Sequence, residues 1–253
     1  MPALRPGLGT EYNATKRRLA MRLDRFLSNL PRFNRQDVRL LLASGRVRVD
    51  GQVSRDSRDE VRVFSRVELD TEVLQAGKAA RYFMLHKPIG VVSATEHPEH
   101  RTVLDLLDEP DKQELHLAGR LDLNTSGLLL ITNDGQWSRR VTAPQGKQAK
   151  VYLVDTEGPI DPACIEIFAR GLYFRFEDLL TQPAELQILA PRQARLTLYE
   201  GRYHQVKRMF GHFQNKVVGL HRLSMGAIQL DERLCPGQYR ALTAEEIASF
   251  CPD

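Results

Sequence analysis

One aspartate stands out for what its surroundings leave it free to do. Asp122 ends the run Gly119-Arg120-Leu121-Asp122 just before an apolar stretch, Leu128 to Ile131, that has no structural need of a carboxylate at its entrance. Withdrawing a carboxylate from water is costly unless a cation approaches it. Held ionised in a pocket, it becomes a nucleophile or an electrostatic catalyst. Asp122 is therefore the expected catalytic group. Arg120, close by in sequence, and Lys207, in Glu200-Gly201-Arg202-Tyr203-His204-Gln205-Val206-Lys207-Arg208, compete to be its partner. Tyr152, within Lys150-Val151-Tyr152, is by residue type a half-buried strand tyrosine.

Groups so far apart in sequence need a common scaffold. Short apolar or alternating runs predict strands near residues 81–87, 127–132, 150–155, 184–189 and 195–199, while 162–170 and 201–213 have helical or mixed character. The irregular order of strands and helices favours an α+β fold, a mixed and largely antiparallel sheet flanked by helices, over a doubly wound one. This catalytic domain is expected over residues 82–250, after a linker at 71–81 where periodicity is lost.

A smaller module precedes it. Leu23, Phe26, Leu27 and Leu30 have amphipathic helical spacing, with Pro31 as the stop; Asn34 is placed to cap a second helix with Val38, Leu41 and Leu42 inward, and Gly45 to end it. Arg46 to Val49 then alternates as a strand into an Asp50-Gly51 turn. Two short helices followed by Gly-Arg-Val-Arg-Val-Asp-Gly resemble the S4 RNA-binding module over about residues 21–70, with Asn34-Arg35 where that family usually has Ser-Arg. The resemblance implies RNA contacts from Arg22, Arg35, Arg39, Arg46 and Arg48, whose guanidinium forks suit phosphate. Between Arg22 and Arg66 eleven arginines face six carboxylates, a local charge of +5 with no lysine. Residues 1–20 are expected to be a flexible basic tail.

The composition narrows the function further. The whole chain of 253 residues carries +4, mild support for a polyanionic partner. Cys164, Cys235 and Cys251 are scattered, so neither a metal site nor a disulfide framework is expected, and no phosphate loop or G-x-G-x-x-G calls for a nucleotide cofactor. Without a signal peptide or a long apolar run, a cytoplasmic protein with no membrane association is expected.

The segments 117–135 and 200–209 together resemble the catalytic motifs of the pseudouridine synthases, and Lys150-Val151-Tyr152 resembles that family's K-x-Y motif. The resemblance extends from Met21 to about Ala248 and is nearest to the branch acting on small-subunit rRNA, through Arg81 to Leu85, Asp134 to Ser138, Glu200 to Phe210 and Pro236 to Arg240. It implies Asp122 as nucleophile, Lys207 as its cation and Tyr152 as the aromatic that stacks on the base. It further implies substrate contacts from Arg120, Arg202, His204, Gln205 and Arg208, with Lys147 and Lys150 helping to hold RNA. The implied reaction, without cofactor, is isomerisation of one flipped-out uridine of 16S rRNA, at the position usually numbered 516, by a monomer acting on a small-subunit assembly intermediate. A 23S rRNA site and a non-catalytic S4-type assembly factor are the competing readings. A nucleosidase is disfavoured because such enzymes commonly use two carboxylates or a metal, and only one strong acid stands out.

Overall fold

The computed structural model describes residues 20–143, 148–174 and 178–250, and forms two compact units that part between Ala80 and Arg81. The expected N-terminal tail, apart from its last residue, and Lys147 lie outside the described residues.

The first unit opens with β1 (Met21–Arg22), α1 (Leu23–Ser28) and α2 (Arg35–Ala43). Leu23, Leu27, Val38, Leu41 and Leu42 form its core. Asn34 caps α2 by accepting from the Gln36 and Asp37 amides, and Asp37 returns a bond to the Asn34 amide. The chain then forms β2 (Val47–Val49), β3 (Gln52–Val53), β4 (Glu60–Val61), β5 (Val67–Leu69) and β6 (Glu72–Gln75). β3, β2, β5 and β6 make one antiparallel sheet, and β4 pairs β1.

The expected linker at 71–81 needs correction, because Glu72–Gln75 is a strand paired with β5. Asp70 supplies the positive φ of 54° that lets the chain turn back tightly, and the Gln75 side chain donates to the Arg62 and Ser65 carbonyls. Short, polar and largely exposed, this strand lacks the apolar alternation by which strands are recognised.

The second unit contains β7 (Tyr82–Lys87), β8 (His116–Ala118), β9 (Ser126–Thr132), α3 (Gly135–Thr142), β10 (Lys150–Thr156) and α4 (Ala163–Arg170). It continues with β11 (Tyr173–Phe174), β12 (Leu179–Leu180), β13 (Glu185–Ala190), β14 (Gln193–Leu198) and α5 (Gln205–Gly211). β15 (Val217–Met225), β16 (Ile228–Gln229), β17 (Tyr239–Ala241) and α6 (Ala244–Ala248) complete it. The path β13-β14-β10-β15-β9-β7-β17 runs through the large sheet, with β8 beside β9 and β16 beside β15. All pairings in this sheet are antiparallel except β9 with β15, where Ser126 and Gly127 face His221 and Arg222.

That parallel seam joins two half-sheets with separate cores. One core gathers Val154, Phe168, Leu196 and Phe210; the other half packs Met84, Leu128 and Trp137 in one cluster and Leu85, Leu129 and Ile131 in another. Gly127 permits the seam. Its φ is +108°, and a Cβ there would lie 2.3 Å from the Arg222 carbonyl oxygen.

Candidate active site

Asp122 begins a turn between β8 and β9 that closes with the Thr125 amide donating to the Asp122 carbonyl at 3.1 Å. Beneath it, at the end of β7, Lys87 is wholly buried and points its ammonium at main-chain oxygens: Thr125 at 2.9 Å, Pro88 at 3.0 Å and Asp122 at 3.1 Å. Burial pulls the Lys87 ammonium down to about 8, opposed by the nearby Asp122 carboxylate. Ser93 fixes the preceding residue by accepting from the Leu121 amide and donating to its carbonyl.

The facing wall is the segment leading into α5. Glu200, 8 % exposed, accepts from the Gln182 amide, from Gln205 Nε2 and from Arg202 Nε at 2.8–3.0 Å. Anchored in this way, the chain turns at His204, a non-glycine residue with φ of 49°, and enters α5. Lys207 Nζ and His204 Nε2 each lie 3.4 Å from Asp122 Oδ2. Oδ1 has no hydrogen-bond or ion-pair partner among the described residues.

These elements surround a cleft of about 660 Å³, which also takes in Lys150 and Tyr152 from β10 and Leu220, Arg222 and Met225 from β15. Tyr152 is buried and sits in register between Leu196 and Arg222. Burial and the charge of Arg222 lower the Lys150 ammonium from its usual range, against the pull of Glu200. Arg222 is 2 % exposed and donates from Nε to the Leu128 carbonyl; its Nη2 and the hydroxyl of Thr125 are the two buried side-chain polar atoms without partners among the described residues.

The structure thus brings Asp122, Tyr152, Lys207 and His204 into one cleft, with Arg120 and Arg202 exposed along it. Arg120 makes no ion pair with Asp122, so Lys207 is the lysine or arginine that meets it. Two expected substrate contacts stand differently. Arg208 is not on the cleft and lays its guanidinium over the Phe174 ring at 3.7 Å, because neighbours on a helix diverge by about 100°. Gln205 does line the cleft, but it is buried and its amide accepts from the Arg202 amide and donates to Glu200, so it shapes the loop. Lys87, Glu200 and Arg222 were not anticipated. Their signal was a charged residue within or closing an apolar strand, a placement that requires buried partners.

Comparison with known proteins gives this arrangement its class. Residues 81–212 match the family model described as RNA pseudouridylate synthase, just over half of the chain, and the chain belongs to that family. The curated relatives narrow the likeness. Over 229 residues the chain is 64% identical to the ribosomal small subunit pseudouridine synthase A of Pseudomonas aeruginosa, covering 90% of this chain and 100% of that protein. Its counterpart in Escherichia coli is 47% identical over the same length, covering 90% and 99%. A solved structure described as a pseudouridylate synthase superposes with a TM-score of 0.67 at 38% identity, covering 91% of this chain and 99% of that one.

Proposed function

We propose that this protein converts one uridine of small-subunit (16S) rRNA into pseudouridine, with Asp122 as the group that attacks the target nucleoside. The observation carrying this reading is the convergence on one cleft of Asp122, Lys207, His204 and Tyr152, in a chain whose curated relatives bear the small-subunit name. Those names favour the small subunit over a 23S rRNA site.

A stacked uridine hides C1′, C5 and C6, so the target nucleotide leaves its stack and enters the cleft. Lys207 and His204 both address Oδ2, which leaves Oδ1 to bond to the nucleoside, at sugar C1′ or base C6. The N1–C1′ bond breaks, the base turns, C5 bonds to C1′, and the bond from Oδ1 breaks, displaced by C5 if it was to C1′ or eliminated if it was to C6, so that the Asp122 carboxylate is regenerated. C5 gives up its proton and N1 gains one, so no atom is added or lost overall. Tyr152 offers the base its ring face and can present its hydroxyl to the C5 proton, and Lys207 holds the carboxylate charge in place.

In the first unit, Arg35 and Arg39, one turn apart on α2, have no ion-pair partner among the described residues and are the free phosphate ligands of the proposed S4-like module. Arg22 pairs with Asp24, Arg46 is bidentate to Asp70, and Arg48 donates to the Gly51 carbonyl, so these three must exchange partners to grip RNA. In this proposal the working unit is a monomer, acting in the cytoplasm on a small-subunit assembly intermediate. No helix among the described residues is long and apolar enough to cross a membrane.

Pseudouridine mapping in a deletion strain tests the proposal. One 16S rRNA position should lose its modification and regain it with the wild-type gene but not with Asp122→Asn. An unaltered 16S map, or restoration by Asp122→Asn, overturns it.

A further inference from the structure

Tyr203 is the most exposed large hydrophobic side chain among the described residues, at 77 %. Its hydroxyl has no hydrogen-bond partner there. One face of its ring stacks on His204, with centroids 3.9 Å apart and planes at 20°. His204 is held in the left-handed region with φ of 49° and reaches Asp122 with its other end. Both rings border the catalytic cleft, as do the exposed Arg120 and Arg202. Burial and hydrogen bonding within the protein do not account for an aromatic plate in this position.

Resting on the RNA substrate proposed above, we infer that Tyr203 forms a second base-binding position: its outward face stacks on the nucleobase next to the flipped uridine. Removing a nucleotide from a stack leaves its neighbour with a bare π-face, and flipping costs a few kcal/mol. An aromatic platform beside the cleft replaces that lost stack and offsets the cost. The ligand is a purine or pyrimidine ring of any identity, since each base presents such a face. The two arginines then lie close enough to the cleft to meet the phosphates on either side.

The alternative is that Tyr203 merely props His204 in its unusual backbone shape. An rRNA fragment with 2-aminopurine on one side or the other of the target uridine separates the two. The platform requires the probe at one of these positions to be quenched on binding wild-type protein or Tyr203→Phe and to stay bright with Tyr203→Ala. Tyr203→Ala should also raise Kd about tenfold, the size of one base–aromatic stack, and its single-turnover deficit should shrink as RNA is raised. A Tyr203→Ala protein with wild-type Kd and quenching, and a deficit that persists at saturating RNA, would identify a prop and overturn the platform. Wild-type turnover on the same fragment reads the substrate assignment separately. Turnover without quenching sinks the platform alone, quenching without pseudouridine sinks the substrate assignment alone, and the absence of both sinks both.

Discussion

Replacing Lys207 with methionine separates the chemistry of the cleft from its stability. The ammonium lies 3.4 Å from Asp122 Oδ2, and both side chains are about 33% exposed. At that distance two unit charges interact by roughly 1 kcal/mol in a water-like medium and roughly 5 kcal/mol at an effective dielectric of about 20. In the free enzyme solvent reaches the pair and His204 remains at the same oxygen, so the low figure applies. Lys207→Met should cost about 1 kcal/mol or less, which lowers Tm by no more than about 2–4 °C for a domain of this size. Once RNA covers the cleft and expels water, the upper figure applies to a carboxylate still required to react. A loss of about 3–4 kcal/mol is a fall of roughly 10²–10³ in rate. Lys207→Arg keeps the charge and should remain within about tenfold. Single-turnover tritium release from C5-labelled uridine RNA, with enzyme in excess, gives the rate, and thermal melts give the stability. Lys207→Met turning over like wild type, or Arg120→Met proving the more damaging, would refute the pairing.

The remaining expectations concern binding, pH and the seam. Charge reversal at Arg35, Arg39 and Arg46 should lower the slope of log affinity against log salt by about 0.9 per lost contact, borrowing the duplex DNA value; an unchanged slope would make these arginines a solvated surface. Turnover should fall above pH about 8 as Lys87 loses the proton that holds the Asp122 turn. In the unfolded chain this lysine keeps its proton to about 10.5, so between these values the folded state binds fewer protons, and the group's contribution to stability rises with pH. Turnover flat to pH 10 would refute the role of Lys87. Gly127→Ala forces a Cβ against Arg222 backbone atoms at 2.3 and 2.5 Å, so melts should show the loss of several kcal/mol typical of overpacking combined with backbone strain; a wild-type Tm would mean that the seam relaxes freely.

That Asp122 lies in a pocket beside a cation was legible because a carboxylate at the entrance of an apolar strand needs one. The presence of Lys207 and Tyr152 in the same cleft was reached through motif resemblance, since neither residue type is unusual on a helix or a strand. The first module was legible through its caps, since Asn34 and Gly45 mark helix ends by local chemistry. What stayed hidden depended on distant partners. β15 is the longest strand, yet Gly219, His221 and Arg222 interrupt its apolar pattern, and only β9 and β10 on either side explain them. Lys87 is intelligible only with the carbonyl oxygens that surround it. The resemblance implies a substrate contact for Arg208, but the turn of α5 that aims Lys207 into the cleft sends Arg208 over the Phe174 ring, a placement that depends on a distant partner.

The central place of β15 has a consequence for synthesis. It lies between β10 and β9 but leaves the ribosome after both, almost a hundred residues behind β9. Until it arrives, the growing chain holds two half-sheets whose inner strands present unpaired main-chain groups, the condition under which partly made proteins pair with one another. Asp122 is made early, but the strand that joins its half-sheet to Tyr152 comes late, so the cleft that holds both cannot be complete until β15 has emerged and paired with β9 and β10.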